Sequence, residues 1–205
     1  NIQNNDQKCF LYSVICGILH KHGILSKNPQ RVTKYYQYIY DENKNEKDII
    51  EIKISDNKKY SIKHKFLKYP VDVTQIPKFE KENKIVINAF MWHDGLRPLY
   101  VTNKWDDPEA INLSLATKGN KTHWVLINNI DRLLFQEKSR NEMFHCLNCL
   151  HHFSTRDKLK EHRALGCDEH ESAKVILPTK ANSILNFKAV QKQLKAPFVI
   201  YADFE

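Results

Sequence analysis

Apolar residues crowd the stretch 9–20, CFLYSVICGILH, on nearly every side of a helical projection. That pattern predicts a helix buried all round rather than an amphipathic surface helix. Asn5 and Asp6 just upstream are residue types that start helices. A second helix is expected from residue 28 to about 40, with Pro29 near its first turn. Over residues 41–68 the chain turns lysine-rich, with the short β-type runs IIEIKI and YSIKH, which predict an exposed hairpin or insertion. A short helix over residues 74–82 precedes four apolar runs that read as strands: IVINAF, LRPLYV, AINLSLA and HWVLINNI, the last beginning at His123. DRLLFQ reads as an extension of the same sheet, and the charged EKSRNE as a connector. Residues 169–196 have no strong periodicity and read as a linker, and PFVIYADFE reads as a strand ending in two acids. Helices followed by strands predict an α+β fold.

Residues 144–167, FHCLNCLHHFSTRDKLKEHRALGC, carry the strongest chemical signal. Cys146 and Cys149 form a C-x2-C knuckle; twelve residues separate Cys149 from His162, and four separate His162 from Cys167. Three thiolates and an imidazole at these spacings suit one tetrahedral structural Zn²⁺, the first pair on a hairpin and the second on a helix. Phe153 and Leu159 supply the two apolar positions of a small ββα finger, which cannot bury enough surface to fold without metal. In the usual register Thr155, Lys158 and Glu161 would face a DNA groove, and none is the arginine that best reads guanine. A structural or backbone-contacting finger is expected, with Arg156, Lys158, Lys160 and Arg163 as candidate phosphate contacts.

The net charge of +8 and isoelectric point near 9.1 suit a polyanionic partner, and DNA is the expected one. Zinc claims three of the five cysteines, leaving no disulfide framework, which predicts a reducing intracellular compartment, nucleus or cytoplasm. Cys16 reads as a small core residue. No apolar run reaches the length of a membrane span, so no membrane partner is expected.

Cys9 falls at the start of the buried helix, where unpaired N–H groups and the helix dipole lower a thiol's pKa. His123 opens a strand more than a hundred residues later, the order of thiol and imidazole found in papain-like proteases. Gln3 could donate an amide to a developing oxyanion. The run Asp6-Gln7-Lys8-Cys9-Phe10-Leu11-Tyr12-Ser13, with His123 followed by the aromatic Trp124, resembles the ovarian-tumour (OTU) family of ubiquitin-removing cysteine proteases over residues 1–135 or so. That family carries a glycine where this chain has Gln7, and often a polar orienting residue where it has Val125. If the strand continues, Asn129 and Asp131 share the parity of His123, and Asn129 is the preferred orienting residue. The resemblance implies a catalytic set of Cys9, His123, Asn129, Gln3 and Asp6, and ubiquitin or a polyprotein as partner.

The closing run PFVIYADFE resembles the first exonuclease motif of family B DNA polymerases, in which paired acids such as Asp203 and Glu205 hold Mg²⁺. The phrases NIQNNDQKCFLYSV, KNPQRVTKY and IPKFEKENKIVINAF, then a His-aromatic strand, one finger and YADFE, resemble the N-terminal region of the protein-primed polymerases of Polinton (Maverick) transposable elements. That resemblance covers nearly the entire chain. It implies an OTU-like domain over residues 1–136, a zinc finger over 137–168, a linker over 169–196 and the start of a 3′–5′ exonuclease domain at 197–205. Exonuclease and polymerase domains would follow in the same chain, and only there would Mg²⁺ be bound. An active OTU-like protease and a simple zinc-finger DNA-binding protein are the alternatives.

Overall fold

In the computed structural model the chain divides into two compact units, Asn1–Val175 and Ile176–Glu205. The structure describes residues 2–134 and 143–167, apart from Ser26, 93–94, Asn103, 105–106 and 119–120. The connector 137–142, the linker 169–196 and the terminal strand with Asp203 and Glu205 lie outside the described residues.

The fold is α+β. Helix α1 (Cys9–Lys21) is buried at every position from Cys9 to Leu19, as its unbroken apolar pattern requires. It lies on a four-stranded sheet of β3 (Ile87–Trp92), β4 (Leu96–Tyr100), β5 (Ile111–Lys118) and β6 (Lys121–Leu126), in the order β4-β3-β5-β6. β3 and β5 run parallel, and the other two pairings are antiparallel. Gly17 allows the close approach of helix and sheet: a Cβ there would stand 2.7 Å from Ile111 Cγ2. On its other side α1 is covered by α2 (Thr33–Ile39), by the hairpin β1–β2 (Ile49–Ser55 and Lys58–Lys63) and by α3 (Ile76–Asn83).

Three expectations change. The second helix starts later than residue 28, because Asn28 has a φ of 60°, left-handed backbone that a right-handed helix excludes. The lysine-rich hairpin is exposed on one face only, since Ile50, Ile52 and Ile62 alternate into the core. Residues 131–134, the described part of DRLLFQ, do not extend the sheet. β6 ends at Leu126 and residues 130–134 form helix α4 (Ile130–Leu134), with Asn129 Oδ1 accepting the Arg132 amide at 2.8 Å. An Asn at the N-cap satisfies an orphan helical donor that a strand would not present.

The second face of the sheet is closed by residues 144–167, which form the hairpin β7–β8 (Phe144–His145 and His152–Phe153) and helix α5 (Arg156–Ala164). Along β3, Ile87 and Ala89 pack with α1, whereas Phe90 belongs to a separate cluster with Leu96, Ile127, Cys146 and Leu147. Ile130, Leu134, Phe153 and Leu159 surround that cluster. Four consecutive β3 residues, Ile87–Phe90, are therefore buried, the pattern of a strand covered on both faces. Asp131 of α4 adds a polar tie, accepting both the backbone amide and the Nδ1 of His145 at 2.9 and 3.0 Å.

Candidate functional site

The hairpin and α5 bring Cys146, Cys149, His162 and Cys167 together, with their four ligand atoms all within 4.8 Å of one another. The knuckle turns because Leu150 adopts a φ of 61°, with its amide bonded to Cys146 O at 2.7 Å. Helix α5 starts at Thr155, whose hydroxyl accepts the Lys158 amide, and this start places His162 two turns along facing the hairpin. Cys146 Sγ lies 3.8 Å from Cys167 Sγ, and Cys149 Sγ 3.3 Å from His162 Nε2. Burial, with Cys149 close by, pushes the Cys146 thiol up to about 12, and a cation among these sulfurs would stabilise its thiolate. The Asn148 amide donates to Cys167 O at 2.6 Å and lies 3.7 Å from its sulfur, bracing that ligand from outside the cluster. These four residues could hold one metal ion.

The second candidate is the thiol of Cys9. Asp6 organises the turn into α1: its Oδ1 accepts the Lys8 amide and the Asn4 side-chain amide, and its Oδ2 accepts the Tyr12 hydroxyl. The Trp124 amide, one residue beyond His123, donates to Cys9 Sγ at 3.3 Å, while Ser13 Oγ donates to Trp124 O at 3.0 Å. The fold thus sets the strand of His123 against the helix start. The expected lowering of the thiol pKa does not follow. Cys9 is only 3% exposed, and burial raises its pKa, outweighing the amide hydrogen bonds from Trp124 and Phe10. Burial lowers the pKa of His123, opposed by a hydrogen bond with the Ile2 backbone.

The remaining sequence-predicted residues sit as follows. Gln3 is exposed and its backbone amide bonds Gln30 O at 2.8 Å. Asn129 lies beyond the end of β6, and its carbonyl oxygen caps α4. Asp131 pairs with His145. Thr155 serves as a helix cap, while Lys158 and Glu161 are exposed. The docking residues Leu147 and His145 were not singled out in the sequence. Their only signal is an apolar side chain inside the knuckle and an imidazole just before it.

None of the five cysteines forms a disulfide, and among the described residues no helix is long and apolar enough to cross a membrane. Compared with known protein families, curated proteins and solved structures, the chain gives no match.

Proposed function

We propose that this chain is the N-terminal region of a transposon- or virus-encoded family B DNA polymerase of the Polinton type. In it an OTU-like thiol-protease fold acts as a scaffold, and a structural zinc finger is built into that scaffold for docking DNA or protein during replication. The observation that carries the scaffold role is the seat of the finger on the sheet. Leu147 and Phe90 meet in one buried cluster, so the metal module closes the domain rather than swinging from it. Zinc is the metal this donor set favours. A Zn–S bond of ~2.3 Å implies a tetrahedral S···S edge of ~3.8 Å, and a Zn–N bond of ~2.05 Å an S···N edge of ~3.5 Å. The observed 3.8 and 3.3 Å lie near those edges, and all four ligand atoms fall within 4.8 Å of one another. A thiol that is 3% exposed and held protonated suits a scaffold better than a nucleophile.

Two measurements test this reading. Purified chain is expected to contain one zinc per molecule and to leave Cys9 unmodified by a ubiquitin-vinyl thiol probe while remaining folded. An adduct at Cys9 makes the chain an active protease instead. The reading frame beyond Glu205 is expected to carry the further acids of an exonuclease site and the polymerase palm motifs. An unrelated continuation removes the polymerase assignment.

A further inference from the structure

Three hollows of about 200, 300 and 500 Å³ adjoin along one side of the unit. The smallest shares Lys84, Ile85 and Val86 with the largest, and Lys21 and Asp107 with the third, so they run on as one groove. One end lies at the C-terminal half of α3 and the other at the start of the finger helix. Five cations line it: Lys81, Lys84, Lys104, Lys21 and Arg156. All five are exposed, and among the described residues none of them pairs with a carboxylate. Lys8, Lys53, Lys58, Lys63 and Lys65, by contrast, each pair with one. Arg156 is further fixed by the Phe144 ring, 5.0 Å beneath its guanidinium.

Four carboxylates also line the groove, and each has a hydrogen-bond partner. Glu80, its pKa raised by burial, accepts from the Tyr100 hydroxyl and the Ile87 amide. Glu109 is held by Tyr60, His22 and Lys58, and Asp131 by His145. Asp107 Oδ1 accepts the Glu109 amide at 2.8 Å. With five cations against four carboxylates, of which Glu109 is paired with Lys58, the groove holds a modest excess of positive charge spread over its length, which matches a chain of phosphates better than a single anion.

We propose that this groove is a track for the sugar–phosphate backbone of DNA, with Lys81, Lys84, Lys104, Lys21 and Arg156 as its phosphate contacts. The track rests on charge and shape and does not require the polymerase reading. It also places the DNA beside the finger helix rather than under it: Arg156 reaches the groove, whereas Lys158 and Glu161 are not among its lining residues.

The test is fluorescence anisotropy of the whole chain with a labelled 20-nucleotide single strand and with the duplex of the same sequence. The triple variant Lys21→Glu/Lys84→Glu/Lys104→Glu is expected to bind at least ~30-fold more weakly at 0.1 M salt, since each phosphate contact releases roughly 0.7–0.9 counterion. Its salt slope should fall by about 2–3. A control with the same charge change outside the groove, Lys53→Glu/Lys59→Glu/Lys65→Glu, should stay within about threefold of the parent. Circular dichroism and thermal unfolding confirm that both variants are folded. The two DNA forms separate a single-strand track from a duplex track. Binding by the groove variant within threefold of the parent overturns the proposal, as does an equal loss in the control or no DNA binding by the parent. Neither the zinc content nor the Cys9 probe enters these outcomes, so the track and the proposed function can fail separately.

Discussion

Leu147→Ala is the perturbation that most directly tests how residues 144–167, the proposed finger, are attached. Leu147 lies between the candidate ligands Cys146 and Cys149 in sequence and is 3% exposed, packed in a cluster with Phe90, Leu96 and Ile127. Removing three carbons from that site forfeits ~0.8 kcal/mol of transfer free energy each, about 2.4 kcal/mol. The cavity left against β3 and β4 raises the expected cost to about 2.5–4 kcal/mol. The same residue on a freely tethered finger would face water, and its truncation would cost under ~0.5 kcal/mol. Urea unfolding of the metal-loaded protein, followed by far-UV circular dichroism, measures the difference, with metal content determined in parallel to show that the knuckle still loads. Leu165→Ala is the internal control: Leu165 is 87% exposed, so its loss should be close to neutral. A Leu147→Ala protein that loads its metal and unfolds at the parental midpoint would refute the docked finger, and with it the scaffold role.

Four further outcomes are expected. Stripping the metal with a chelator should speed hydrogen exchange in β3 and β4 as well as in the finger, because Phe90 and Leu96 lose their cover; exchange changes confined to residues 144–167 would count against this. Asn129→Ala should cost about 1 kcal/mol as a lost helix cap, leaving the iodoacetamide reactivity of Cys9 unaltered; a changed thiol rate would restore Asn129 to the site. Because burial raises the Cys9 pKa, its contribution to stability is complete below the unfolded thiol's pKa of ~8.5 and is lost as pH rises through the folded value. Alkylation of native Cys9 should accordingly be slower than that of a free thiol at pH 8. His64 is wholly buried, with Nε2 2.9 Å from Lys47 O, and burial lowers its pKa; its contribution is present above about pH 6.5 and is lost as pH falls through the folded value, so NMR should find it neutral where a free imidazole is half protonated.

Local chemistry made much of this legible. The all-round apolar pattern of residues 9–20 can bury itself only as a central helix, and α1 is that helix. The β-type run IIEIKI marked β1, and the Cys and His spacing brought the four candidate ligands together as expected. DRLLFQ misled because its apolar density fits a strand or a helix equally well. The deciding residue is the capping Asn129, whose strand parity with His123 suggests an orienting partner instead. The thiol pKa misled for a different reason. The helix-start effect on Cys9 is local, whereas the burial that overrides it comes from the tertiary packing of α1. The seat of the finger was not legible at all, because Leu147 and Phe90 are far apart in sequence and no period links them.

The paired contacts of α1 with Trp124 set an order of events during synthesis. Cys9 and Ser13 bond to a residue 115 and 111 positions further on. Helix α1 leaves the ribosome before the strands it packs on, and has no sheet to lie on until β5 and β6 have followed, which at 5–20 residues per second takes roughly 5–25 s. Throughout that interval CFLYSVICGIL is an exposed sticky segment, long before any cooperative collapse can hide it. The nascent chain should accordingly depend on chaperones far more than the finished protein does, and chains truncated before Trp124 should aggregate rather than fold.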